Sequence, residues 1–178
     1  MKRGADMIAL SLLCLFFFFP KWKRKGRDSL LVYTLFYLYL STVVYFTLSP
    51  VLTSIPFLLN HPYRPMNLIP FIDVWMGRGD FLRQIGLNVV MTAPFGFLFP
   101  LTQRAQNKTA SFGKTAVCCF LMSLGIELLQ PLINGSRSSD ITDILANTAG
   151  GMLGYGCYAL LRPVIFWFLN RLEPKDET

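Results

Sequence analysis

Eight polar residues stand in or beside segments that are otherwise apolar: Asn67, Asn88, Glu127, Gln130, Arg137, Asp140, Asp143 and Asn147. Their types define a short list of possible chemistry. Glu127, one turn from Pro131 in an apolar run, is a carboxyl of the kind that serves as a general acid or base. An intramembrane carboxyl is a functional-site candidate by default, either paired with a cation such as Arg137 or held protonated. Arg137, with Arg83 or Arg78, would bind a phosphate or carboxylate. Asn67, Asn88, Gln130 and Asn147 would orient a ligand through hydrogen bonds. Asp140 and Asp143 form a D-x-x-D pair with two possible uses. Carboxylates suit a hard cation such as Mg²⁺, which makes the pair a weak metal candidate. They also suit a helix N-terminus, where Asp140 would cap orphan N–H groups.

The elements that would position these groups follow from composition. Of the 178 residues, 53% are hydrophobic and 15% are charged, where a soluble domain carries about a quarter charged. The apolar residues also come in blocks long enough to cross a bilayer, about 20 residues as a helix. The expected fold is therefore all-α: a polytopic membrane protein of about five transmembrane helices, near 5–20, 29–50, 84–101, 115–131 and 141–161. The first block resembles a signal-peptide core, but no small-residue cleavage pattern follows and "PKWKRKG" does, which predicts a retained anchor.

The net charge of +7 does not point to nucleic acid. The basic residues cluster at block ends, in 20–28 and 102–114, as membrane topology requires. Placing those two segments in the cytoplasm gives the inner loops eleven Lys and Arg against six outside. The N-terminus is then outside and the C-terminus cytoplasmic. Two loops fall outside: "LINGSRSSD", and a long one, 51–83, whose prolines break any continuous helix and whose apolar pieces lie in the interface or re-enter the membrane.

On ideal helices the polar residues form stripes. Asp140, Asp143, Asn147, Gly150, Gly151 and Gly154 share an arc of roughly 100°, and Ser123, Glu127 and Gln130 one of about 60°. Gln84, Asn88 and Thr92 follow an i, i+4, i+8 course. Asn88, Glu127 and Asn147 each lie roughly 5–10 Å from the outer ends of their helices. Leaving such groups in lipid costs several kcal/mol, roughly, so they are expected to face one another across a polar cavity toward the outer leaflet. The plainer alternatives are interhelical hydrogen bonding by Asn88 and Asn147, and close packing through the GxxxG of Gly150 and Gly154.

His61 is the single histidine, and Cys14, Cys118, Cys119 and Cys157 show no metal or disulfide spacing. With no phosphate-binding glycine loop or His cluster either, no cofactor is expected.

Four segments in order, "NLIPF" (67–71), "LNVVMTAPFGFLFP" (87–100), "IELLQ" (126–130) and "RSSDITDILANTAGGMLGY" (137–155), resemble the VanZ-like family over about residues 30–161. The family's N-x-x-P-F asparagine falls on Asn67, and its asparagine before the P-F-G turn on Asn88. Its Glu and Gln fall on Glu127 and Gln130, its Arg on Arg137, and its D-x-x-D pair with following Asn on Asp140, Asp143 and Asn147. Residues 1–29, an extra anchor and basic loop, and 162–178, a cytoplasmic tail, lie outside that core. The resemblance implies a bacterial plasma-membrane protein associated with reduced susceptibility to teicoplanin and other lipid-bearing glycopeptides. It would engage membrane lipids, a lipid-linked wall precursor or a lipoglycopeptide, with no nucleic-acid partner. The resemblance carries no mechanism. Two remain open: an amphiphile-binding cavity, or an enzyme modifying an envelope lipid with Glu127 and Asp143 as catalytic candidates. A conventional transporter is disfavoured by five helices without a repeat.

Overall fold

The computed structural model describes residues 2–51, 54–55, 60, 63–77, 79–109, 111–133 and 138–172. Arg78 and Arg137 lie outside the described residues. Within them the chain is all-α, and five helical stretches are long and apolar enough to cross a membrane. The first comprises α1 (Lys2–Leu13), a π-helical turn (Cys14–Phe18) and α2 (Phe19–Lys23). Pro20 explains the interruption. It has no N–H to give to the preceding turn, so the ladder widens and the Phe19 N–H reaches back to the Cys14 carbonyl. The others are α3 (Arg27–Thr47), α5 (Phe81–Arg104), α6 (Phe112–Ile133) and α7 (Ile141–Asn170), with the four-residue α4 (Ile72–Trp75) before α5.

The distribution of polarity is that of a protein dissolved in lipid. Leu160, Val90 and Leu121 are exposed, while Thr92, Ser123 and Ser139 are fully buried. With no water in the hydrocarbon to satisfy them, hydroxyls and amides turn inward and aliphatic side chains turn out. The protein is a multi-pass membrane protein.

Helix α7 is the axis of the bundle, and it meets α5 backbone to backbone. A Cβ at Gly154 would collide with the Ala93 carbonyl, one at Gly96 with the Gly151 carbonyl, and one at Gly150 with Val89 and Thr92. Gly151 makes the same close approach to Cys119 on α6. Small residues at these positions allow van der Waals and polar contact between helices where there is no hydrophobic driving force. Helix α3 packs on α5 through Phe36, Phe95 and Phe99, the last two stacked at 5.3 Å. The Tyr39 hydroxyl also donates to the Met91 carbonyl at 3.1 Å. The first span lies against α3: Trp22 stacks on Tyr33, and the Tyr37 hydroxyl donates to the Leu10 carbonyl.

Helix α7 does not stop near 161. It runs through Arg162 and Pro163 to Asn170, about 45 Å of helix against a hydrocarbon core of about 30 Å. The extension is held by packing. Leu169 is buried with Tyr158, Leu101 and Val32, and Asn170 accepts a hydrogen bond from Arg104. The single proline therefore interrupts one ladder bond without ending the element.

Candidate functional site

At the end of the bundle that carries residues 63–80, the start of α7 is built into its neighbours. Asp140 is the N-cap: its backbone is extended and its Oδ1 accepts from the Thr142 N–H at 2.7 Å. Its other oxygen accepts from Asn67 Nδ2 at 2.9 Å. Asn67 is held in turn by a two-bond backbone bridge, its N–H donating to the Ser139 carbonyl (2.9 Å) and its carbonyl accepting from the Ile141 N–H (3.0 Å). Asn67 Oδ1 also receives the Ile69 N–H. Four residues on, Phe71 adopts a left-handed conformation, φ 58°, uncommon for a bulky side chain. Its N–H donates to Thr142 Oγ1 at 2.9 Å. The 67–71 segment is thus strapped across the α7 N-terminus.

Glu127 closes the same joint from α6. Its Oε2 accepts the Asp140 N–H at 3.1 Å, and its backbone carbonyl accepts the Ser139 hydroxyl. The carboxyl is buried, 3% exposed, yet it borders a cavity of about 530 Å³. The wall of that cavity also carries Asn88, Gln130, Asp143 and Asn147. Asp143, in the first turn of α7, accepts from Asn88 Nδ2 at 2.6 Å and from Gln84 Nε2 at 3.2 Å. Asn147 is pinned at its amide by Ser123 (Nδ2 to Oγ, 2.8 Å), and its backbone carbonyl accepts the Thr92 hydroxyl at 2.7 Å. Its Oδ1 is buried and has no hydrogen-bond partner among the described residues. Gln130 reaches the Thr47 carbonyl at the end of α3, a long bond of 3.4 Å. The remaining wall includes Phe46, Leu87, Met91 and Ile126, with Asp80 and Arg83 beside them. Those last two side chains are largely solvated and 4.0 Å apart.

The chain between residues 33 and 162 matches the sequence profile of the VanZ/LLP1 family. Protein VanZ of Enterococcus faecium is 32% identical over 123 residues, covering 69% of this chain and 70% of that protein. This chain belongs to the VanZ/LLP1 family. No solved structure matches it.

Within this VanZ-family fold the eight residues separate. Asn88, Glu127, Gln130, Asp143 and Asn147 meet at one cavity. Asn67 and Asp140 are engaged with each other and with backbone, and do not border it. Arg137 is among the residues not described. Asp140 and Asp143 face different partners, and no group of three or more His, Cys, Asp or Glu comes together among the described residues. The two residues also border one small pocket, beside Asp73, Gln84 and Thr142.

Two further residues carry structure that the sequence reading did not single out. Ser139 is fully buried and ties the approach to α7 to α6; its signal is the Ser-Ser-Asp run directly before the helix, typical capping chemistry. Asp6 is buried in α1 and accepts from Ser49 Oγ and from the Val51 N–H, both at 2.7 Å. A lone acid in an N-terminal anchor is the available sign, since such a group must find partners in the membrane.

Because Asn67 serves the brace, Asn67→Ala is expected to lower stability by about 1–2 kcal/mol without changing ligand recognition. Denaturation in detergent should show the loss. Ligand affinity measured below the melting transition should match wild type.

Proposed function

We propose that this VanZ-family protein lies in a bacterial plasma membrane with its N-terminus outside and its C-terminus in the cytoplasm, and that the 530 Å³ cavity opens toward the outer leaflet. There it binds the headgroup of an amphiphile, lowering susceptibility to teicoplanin and related lipoglycopeptides. The observation carrying this reading is the two-sided wall. One part is rich in acceptors: Asp143, Glu127 and the Oδ1 of Asn147, which has no partner among the described residues. The other is aliphatic and aromatic: Phe46, Leu87, Met91 and Ile126. A buried acceptor without a protein partner is a position for a donor. The complementary ligand therefore presents N–H and O–H groups next to an apolar portion, as a lipoglycopeptide or a lipid-linked wall precursor does. Its volume lies within the ordinary range for small-molecule sites, about 300–1,000 Å³.

That Glu127 and Asp143 both border the cavity favours a second reading, an enzyme acting on an envelope lipid or wall precursor. The two readings part in one comparison. A strain lacking the gene, the same strain with the gene restored and the parent are tested against teicoplanin and vancomycin, and their envelope lipids and wall precursors are compared. Binding predicts selective loss of teicoplanin resistance with chemically identical envelopes. An altered lipid or precursor points to the enzyme. Unchanged susceptibility to both drugs would overturn the resistance role.

A further inference from the structure

At the opposite end of the bundle a second cavity, of about 430 Å³, lies between the α5–α6 turn and α7. Arg104, Lys108 and Arg162 line it, together with Asn107, Tyr155 and Tyr158. Among the described residues no carboxylate neutralises these cations. Arg104 donates to the neutral Asn170 Oδ1 and Lys108 to the neutral Gln106 Oε1. Among the described residues no Asp or Glu lines this cavity, and the ion pair they contain, Arg83 with Asp80, is at the other end. Both guanidinium groups are also gathered over one ring. The Cζ of Arg104 lies 4.2 Å from the centre of Phe166, and that of Arg162 5.1 Å. The ring quadrupole attracts each cation, but like charges collected in one concave site repel one another, and a shared anion relieves that repulsion.

We infer that this cavity is an anion site for a phosphate group, with the two arginines as the principal ligands. Guanidinium groups match phosphate oxygens in pairs, and basic pockets between transmembrane helices on the cytoplasmic side suit acidic lipid headgroups. Phe166 in the cavity wall and the exposed Phe112, edge-on to Tyr155, supply an apolar track beside the site. An anionic phospholipid would use both the cations and that track, whereas free phosphate would use the cations alone. The site is separate from the acceptor-rich cavity and of opposite electrostatic character, so it stands whether or not that cavity binds a drug.

The test uses the purified full chain in neutral detergent, with three probes: phosphatidylglycerol, phosphatidylcholine and inorganic phosphate at constant ionic strength. Native mass spectrometry counts bound lipid, and thermal melting reports stabilisation. Wild type is compared with Arg104→Gln/Arg162→Gln and with Lys21→Gln/Lys23→Gln, which removes two exposed cations from α2 at the same end. Phosphatidylglycerol is expected to bind wild type in preference to phosphatidylcholine, on the order of tenfold or more weaker in the arginine variant, and unchanged in the lysine control. If inorganic phosphate stabilises wild type as strongly as the lipid does, and the arginine variant loses both, the site stands with free phosphate as its source. Arg162→Gln alone, an exposed position, carries the comparison if the double variant does not fold. No preference for the acidic lipid and no effect of phosphate overturns the site, as does equal loss in the lysine control.

Discussion

Replacing Gly154 with alanine is expected to destabilise the protein by about 1–3 kcal/mol, while Gly156→Ala, two positions along the same helix, changes stability by less than about 1 kcal/mol. The difference is geometric. A methyl group at 154 would enter the space of the Ala93 backbone, which has no flexible end to move aside, whereas nothing stands within 4 Å of the corresponding point at 156. The same contrast is expected on α5 between Gly96, whose Cβ would meet the Gly151 carbonyl, and Gly86, which faces open space. Melting of the four alanine variants in one detergent tests this. Similar curves for 154 and 156 would mean that α5 and α7 do not meet through backbone. Gly154→Ala should also weaken ligand binding. The α5–α7 separation sets the 2.6 Å Asn88–Asp143 hydrogen bond and the reach of the Thr92 hydroxyl to Asn147, so prising the helices apart disturbs the cavity wall.

The five spans were readable from the sequence because hydropathy and length report directly on a lipid solvent. Their junctions were less so. Arg162 and Pro163 look like a terminus, but the burial of Leu169 and the Arg104–Asn170 bond continue α7 past them, and neither tertiary contact has a local signature. The polar stripes brought Asn88, Asp143, Asn147, Glu127 and Gln130 to one end of the bundle for a sound reason: helical periodicity holds inside helices. It fails at the cap. Asp140 has φ −133° and ψ 130°, so its side chain does not follow the 100° step that links Asp143 and Asn147. Asn67, 73 residues away in sequence, pairs with it only because the 67–71 strap folds back across the helix start. Asp6 has no signature of this kind, because a single acid in an apolar anchor forms no stripe, yet it fastens the chain after α3 through Ser49 and Val51.

Glu127→Gln is expected to abolish protection against teicoplanin while leaving the protein in the membrane at wild-type abundance, and Glu127→Ala to lose both protection and stability. The residue has two tasks that substitution can separate. Structurally, its side-chain oxygen accepts the Asp140 N–H at the start of α7. Glutamine retains a carbonyl oxygen at that position and so can keep the bond. Alanine leaves a part-buried N–H without its acceptor, at a cost of about 1–3 kcal/mol. Chemically, glutamine cannot carry the carboxylate charge or exchange a proton, and the wall of the cavity beside Asp143 changes accordingly. The expected order of melting temperature is therefore wild type, then Gln, then Ala, while the expected order of protection is wild type first and the two variants alike. Immunoblotting of membranes beside the susceptibility assay keeps the two orders distinct. A glutamine variant that protects as well as wild type would assign Glu127 wholly to the α6–α7 joint. The acceptor role in the cavity would then rest on Asp143 and on the Asn147 Oδ1, the group on that wall whose partner is not supplied by the described protein.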